Sequence, residues 1–248
     1  MDPITIAIIT LVAIIALIVI IVLVQTSQFG IEYEDVEPIN LPEVDGESVA
    51  QRIGLAVQLK TISDVDPEKV DPRPFEAFRD LIRTLYPQLE EKLTREVINR
   101  HALLYTWQGS DPSLDAVCFT AHQDVVPADE GEDSGWTHSP FAGELADGYV
   151  WGRGALDCKG ILICLLEAVN NLVKLGYQPK RTIYLAFGDD EENSGVAGAK
   201  QIVKTLKERG VRLSFLLDEG GTVTTGQIEG VKGPVAIIGI SEKGYLSL

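Results

Sequence analysis

Histidine and cysteine, the side chains that build many zinc centres, are scarce in this chain, at three of each among 248 residues. The cysteines, Cys118, Cys158 and Cys164, are odd in number and share no paired spacing. That excludes a disulfide framework or a zinc knuckle and leaves buried thiols. Basic residues are outnumbered, 21 Lys and Arg against 37 Asp and Glu, for a formal net charge of -16. Nucleic acid and anionic membrane surfaces would repel such a chain, so no nucleic-acid partner is expected. There is no internal repeat, and no low-complexity tract outside the N-terminal apolar run. A phosphate loop is excluded as well, because the glycines at Gly152 and Gly154 lack the Walker spacing and its Lys-Ser/Thr.

What is present begins with Ile4 to Val24, an apolar run without a charge, interrupted only by Thr5 and Thr10. It is long enough to span a bilayer. Met1-Asp2-Pro3 offers no basic start and Val24 to Gln28 no small-x-small exit, so the run reads as an uncleaved anchor rather than a signal peptide. Residues 1–24 are therefore expected to form a transmembrane anchor that meets the lipid bilayer through residues 4–24. No Lys or Arg lies nearby for the positive-inside rule to count. Residues 25–45, acidic and carrying Pro38 and Pro42, read as an extended stalk. Anchor and stalk together suggest a type II, single-pass arrangement with the following domain extracytoplasmic, in the secretory pathway, a vacuole or lysosome, or at the cell surface.

The remaining chain is long enough for one domain with a proper core. Apolar periodicity predicts helices over Gly46–Leu59 and Pro74–Tyr86. Beyond them strand and helix alternate: strand Val117–Thr120, helix Gly160–Leu175, strand Thr182–Phe187, helix Val196–Arg209, strand Leu213–Leu217. The expected fold is α/β, a mostly parallel sheet with helices on both faces. In such a sheet ligands gather beyond the carboxyl ends of the strands. Here those ends carry His122 and Asp124, then Asp189-Asp190-Glu191-Glu192, then Asp218-Glu219, while Asp157 closes a glycine-rich loop just before a helix.

His122 and Asp124 share a face, because a strand alternates sides, so the imidazole could bind a metal while Asp124 fixes its tautomer. Alone, His-x-Asp also reads as a capped loop histidine. The chain supplies a control for the acids: Glu90-Glu91 lies on a polar helical face and is expected to be solvated. Glu191-Glu192 instead follows the apolar run Ile183–Phe187 and belongs to a cluster of four acids that would raise one another's pKa values. A divalent cation relieves that repulsion. His122, Asp157, Glu192 and Asp218 make a nitrogen and oxygen ligand set suited to zinc, with cobalt or manganese as possible substitutes. Two ions about 3.5 to 4 Å apart could share Asp157, leaving Glu191 free as a general base. His101 and His138 are read as structural or exposed.

Five motifs, in order, resemble one family. They are His122-Gln-Asp-Val-Val-Pro127, Trp136 with Pro140-Phe141, Gly152-Arg-Gly-Ala-Leu-Asp-Cys-Lys-Gly160, Asp190-Glu-Glu192 and Asp218-Glu-Gly220. The family is that of the co-catalytic di-zinc metallopeptidases, which includes carboxypeptidase S, aminoacylase, succinyl-diaminopimelate desuccinylase and N-acyl-amino-acid hydrolases. The anchor and the wording of the motifs are most similar to the carboxypeptidase S branch. The resemblance implies amide hydrolysis of peptides or N-acyl amino acids with two zinc ions per site. It makes His122 and Asp218 ligands of one zinc, Asp157 the bridge and Glu192 a ligand of the other. Asp124 would orient His122, and Glu191 would be the general base and later the acid.

The chain departs from the family pattern at Cys158, where Asp or a hydrophobic residue is usual, and at Asp189, where the closest branch has His. The family also has a further zinc-binding histidine towards its C-terminus and an inserted lid domain through which a homodimer could form. His101, His122 and His138 all precede that point. Residues 46–238 are therefore expected to be the first part of a catalytic domain, and residues 239–248 the start of a truncated lid. The alternative is a catalytically inactive family member serving as a membrane-tethered binding protein.

Overall fold

The computed structural model describes residues 2–28 and 43–239. Most of the expected stalk, and all of the expected lid segment except Gly239, lie outside the described residues. The sequence also reads as strands over Val235–Ile240 and Gly244–Leu248; the second, and Ile240 of the first, lie outside the described residues too. The chain divides into two compact units, Met1–Pro42 and Glu43–Leu248. In the first, α1 runs from Pro3 to Gln28. Pro3 opens it with the fixed φ that suits a first helical turn, and Asp2 Oδ1 accepts from the Ile4 and Thr5 amides at 3.0 and 2.9 Å. It is long and apolar enough to cross a membrane, a description that a signal sequence also meets.

In the second unit α2 (Gly46–Val57), α3 (Pro72–Leu85) and α4 (Pro87–Lys92) come first. Asp45 and Asp71 cap α2 and α3 through the Ser48 and Arg73 amides. The strands β1 (Thr94–Ile98), β2 (Ala102–Trp107) and β3 (Ala116–His122) follow, then the small hairpin β4 (Glu144–Ala146) and β5 (Tyr149–Trp151). After α5 (Lys159–Lys174) come β6 (Ile183–Gly188), α6 (Ala199–Glu208), β7 (Leu213–Leu217) and the hairpin β8 (Val223–Thr225) and β9 (Pro234–Ala236).

The main sheet has the order β1-β2-β6-β3-β7. Its β6–β3 and β3–β7 pairs are parallel, but β1–β2 and β2–β6 are antiparallel, so the sheet is mixed rather than mostly parallel. The cause is local. Asn99, at φ 57°, turns the chain back within three residues, and strands joined that tightly can only pair antiparallel.

Both faces are covered, as expected. Leu103, Tyr105, Leu185 and Phe187 point to one face, where they pack with Phe78, Ile82, Leu162 and Leu166 of α3 and α5. Leu104, Cys118, Tyr184 and Ala186 point to the other, against Ile202 and Leu206 of α6. The period of two is what sorts β2 and β6 between the faces. Each fully buried Phe or Leu contributes about 1.5–3 kcal/mol.

Two departures bear on the site. The helix expected from Val196 begins only at Ala199, because Asp190 takes the Ala197 and Gly198 amides at 2.6 and 2.8 Å and holds that stretch as a loop. Gly198 is required there, since a Cβ would meet Asp189 Oδ1 at 2.6 Å. Of the control pair, Glu91 is exposed, but Glu90 is half-buried and pairs with Arg95 at 3.0 Å rather than facing solvent. His101 stacks on Phe75 at 4.9 Å between ring centroids, and His138 packs on Trp151 at 4.6 Å with its Nδ1 2.9 Å from Glu144.

Candidate metal centre

His122 is the last residue of β3 and only 1% exposed. Its Nδ1 lies 2.9 Å from the backbone oxygen of Asp124 and 3.3 Å from Asp124 Oδ1. A proton on Nδ1 satisfies both and leaves the Nε2 lone pair aimed away from the core. Around Nε2 stand three carboxylates: Asp157 Oδ1 at 2.9 Å, Glu219 Oε1 at 3.3 Å and Glu191 Oε2 at 3.8 Å. Asp157 comes from the loop before α5, Glu191 from the short turn Glu191–Asn193 after β6, and Glu219 from the chain just past β7. Four elements thus deliver one nitrogen and three carboxylates to one place.

Asp124 is fully buried and organises the group. Its Oδ1 accepts from the Glu191 amide at 3.0 Å, and its Oδ2 accepts from the Glu192 amide at 3.1 Å and the Ser63 hydroxyl at 2.7 Å. Burial works to raise its pKa, yet the hydrogen bonds from His122 and Ser63 and the His122 charge hold it below the usual carboxylate range. Burial likewise opposes a charge on His122, but contacts to Asp124, Cys158 and Glu219 outweigh it and raise the imidazole pKa. The bond to His122 lowers Glu219 against the effect of burial. Glu191 is raised, chiefly by burial, with Glu219, Asp124 and Glu192 adding to it and His122 opposing.

Burial and the hydrogen bonds to His122 and Asp124 set these directions, and the carboxylates gathered around His122 leave an excess of negative charge that favours a cation. A proton on His122 supplies part of that charge, and a divalent ion would supply more. Among the described residues, His122, Asp157, Cys158 and Glu219 offer ligand atoms all within 4.8 Å of one another, so the donors present fit a zinc-type ion. Cys158 is otherwise engaged. Its Sγ accepts from the His122 amide at 3.0 Å and faces the His122 carbonyl at 3.6 Å, and burial pushes the thiol pKa up to about 11.

The structure therefore brings His122, Asp124, Asp157 and Glu191 together. Glu192 stands beside them: burial and the charge of Asp157 raise its carboxyl. Asp218 is not brought into the group. It is exposed, and its Oδ1 accepts from the Thr120 hydroxyl and from the Glu219 amide at 2.9 Å. Glu219, one residue on, faces His122 instead. The phase of a strand end decides which of two adjacent acids points inward, and Leu213-Ser-Phe-Leu-Leu217 has no clean alternation from which to read it. Sequence reasoning also missed Ser63, which no motif marks.

Beside the centre Lys159 is fully buried, its ammonium donating to the carbonyls of Ala56 at 3.1 Å and Leu59 at 2.5 Å. Burial lowers its pKa to about 7, against the pull of Asp124. Asp189 is buried too, with Oδ1 unpartnered among the described residues, and burial and Asp190 raise its pKa to about 6. A carboxyl raised on folding favours the folded state below its unfolded pKa of about 3.9, and that stability is lost as pH rises through 6. Asp189→Asn is accordingly expected to raise Tm at pH 7.5 and to leave it nearly unchanged at pH 4. Thermal melts of both proteins across that range check it.

A mixed sheet with a histidine and carboxylates assembled past the ends of three neighbouring strands defines an α/β protein with a candidate metal centre. Within that class, the chain carries a domain of the peptidase family M20/M25/M40, matched over residues 118–237. It is 37% identical over 210 residues to the N-fatty-acyl-amino acid synthase/hydrolase PM20D1 of Xenopus tropicalis, a match covering 84% of this chain and 40% of that protein. It is 36% identical over 204 residues to the probable carboxypeptidase S-like 2 of Dictyostelium discoideum, covering 81% and 39%. Among solved structures, human carnosine dipeptidase 1 aligns with a TM-score of 0.54 at 25% identity, over 72% of this chain and 42% of that one. The chain thus spans about two fifths of the length of these relatives.

Proposed function

We propose that this chain carries the metal-binding part of a membrane-anchored, zinc-dependent hydrolase that cleaves amide bonds of peptides, in the manner of a carboxypeptidase, or of N-acyl amino acids. The observation that carries the reading is the convergence of Asp157, Glu219 and Glu191 on the free ring nitrogen of a buried, oriented histidine. The names of the relatives, which include a carboxypeptidase S-like protein and an N-fatty-acyl-amino acid hydrolase, support it.

His122, Asp157 and Glu192 would hold two zinc ions, with Asp157 shared. Glu219 takes the place first expected of Asp218, which remains within one residue of the site. When bound, zinc supplies a Lewis acid that polarises the amide carbonyl and acidifies water. Asp124 keeps the Nδ1 proton of His122 in place, so Nε2 would be free to bind the metal. The Glu191 side chain, 55% exposed, is open to solvent on one side and close to His122 on the other. It can take a proton from the attacking water and return it to the departing amine. The apolar helix α1 is assigned as the anchor, with the hydrolase domain extracytoplasmic, and a homodimer is proposed as the assembly.

Metal removal tests the reading. The chain stripped with chelator should take up zinc again, with Tm rising as it does, and His122→Ala should abolish uptake. Zinc content by elemental analysis and Tm by calorimetry report both. Uptake that survives His122→Ala would sink the assignment.

A further inference from the structure

The segment between α2 and α3 is laid against the metal-site loop as a splint. Val125 N donates to Thr61 O at 3.0 Å, the Thr61 hydroxyl donates to Gln123 O at 2.6 Å, and Ile62 and Val125 form a parallel bridge. Thr61 is fully buried and Ser63 is 6% exposed. At the end of the splint the Ser63 hydroxyl meets Asp124 Oδ2 at 2.7 Å and receives the Asn193 side-chain amide at 2.6 Å.

The direction of these bonds follows from the donors present. A serine hydroxyl has one proton and two lone pairs, and an asparagine NH₂ can only donate. Asn193 therefore fills a lone pair of Ser63, which commits the Ser63 proton to Asp124. A carboxylate has about four acceptor sites. Those of Asp124 face four donors: the Ser63 hydroxyl, the Glu191 and Glu192 amides and the His122 ring nitrogen. Without Ser63 the carboxylate loses the only side-chain hydroxyl that it meets among the described residues, and its last torsion is held by the Glu191 and Glu192 amides and the His122 ring alone. The turn carrying Glu191 and Glu192 hangs on that torsion, and so does the Oδ1 that stands 3.3 Å from His122 Nδ1, whose shorter contact is to the Asp124 backbone oxygen.

We infer that Ser63 is a positioning residue of the metal centre, locking the Asp124 carboxylate in the one rotamer that serves His122 and the Glu191–Asn193 turn together, with Asn193 fixing the direction of the lock. The inference rests on the metal-site reading for its role, but the lock itself exists without metal. It thereby couples a segment some 60 residues upstream to both the ligand and the base.

Hydrogen exchange of the metal-free full chain, followed by mass spectrometry, tests it directly. In Ser63→Ala the peptide covering residues 189–195 should exchange about tenfold faster while a peptide covering β2 is unchanged. Zinc affinity, measured by competition with a chromophoric chelator, should fall about tenfold. Ser63→Thr, which keeps the hydroxyl, should restore both. Asn193→Ala, on a half-buried turn, should shift the same peptide in the same direction by about threefold and carries the test if Ser63→Ala does not fold. Exchange over residues 189–195 that stays within about twofold of the unmodified chain, or that quickens equally in β2, overturns the lock. If the unmodified chain takes up no zinc, the metal-site reading falls, and the exchange data still decide the lock.

Discussion

Glu191→Gln is expected to lower kcat for amide hydrolysis by about a hundredfold to ten-thousandfold in the protein that carries this domain, with zinc content and KM nearly unchanged. Glutamine keeps the shape and volume of glutamate but cannot take up a proton. The Glu191 backbone amide, held by Asp124 at 3.0 Å, is untouched by the change, so the turn and Glu192 stay in place. The effect should therefore appear in kcat alone, the mark of a group that acts in the transition state. Burial and the acids around it raise the Glu191 pKa above that of an ordinary glutamate, bringing the group nearer to neutral pH, where a base that must also return its proton works best. Steady-state kinetics beside elemental analysis decide the matter. Undiminished hydrolysis with zinc still bound would assign the base elsewhere.

Asp124→Asn is expected to reach further. The amide nitrogen that replaces one oxygen cannot accept, so at least one buried donor among His122, Ser63 and the Glu191 and Glu192 amides is left without a partner. Each such loss costs about 1–3 kcal/mol. Zinc affinity should fall by about tenfold to a hundredfold, because the carboxylate charge beside His122 Nδ1 is removed and only the backbone oxygen of residue 124 is left to hold the ring. The pH dependence carries a sign of its own. The pKa of Asp124 lies below the usual carboxylate range, so its contribution is present above its unfolded pKa of about 3.9 and is lost as pH falls through its folded pKa. The variant should therefore lag most at neutral pH and converge with the unmodified chain in acid. Melts from pH 2.5 to 7.5 with a zinc titration at pH 7 measure both, and equality at neutral pH would remove Asp124 from its central place.

Much of this was legible in the chain. The apolar runs Val117–Thr120 and Thr182–Phe187 read as strands of a largely parallel sheet, and these two pair in parallel; the family motifs pointed to Asp157 and Glu191, which stand around His122 Nε2. The hairpin of β1 and β2 was less visible, because Thr94–Trp107 contains no glycine or proline to mark its turn and relies on Asn99 in a left-handed conformation. Asp218 and Glu219 are adjacent acids on an exposed strand end, and only the three-dimensional twist of β7 selects between them. Ser63 was invisible for a different reason. Its importance lies in what it touches across the fold, and a single serine in a loop carries no local signal.

The strand order has a consequence for how the site would respond to its ion. β6 and β3 are central and parallel, so the groups that follow them, His122, Glu191 and Glu192, stand on the least deformable part of the sheet. Among the described residues β7 is an edge strand, paired on one side only, and four of its five residues are exposed. Were Glu219 a ligand, it would be the adjustable jaw of a vice whose other jaw is fixed. An ion held between them would tie the border of the sheet to its centre.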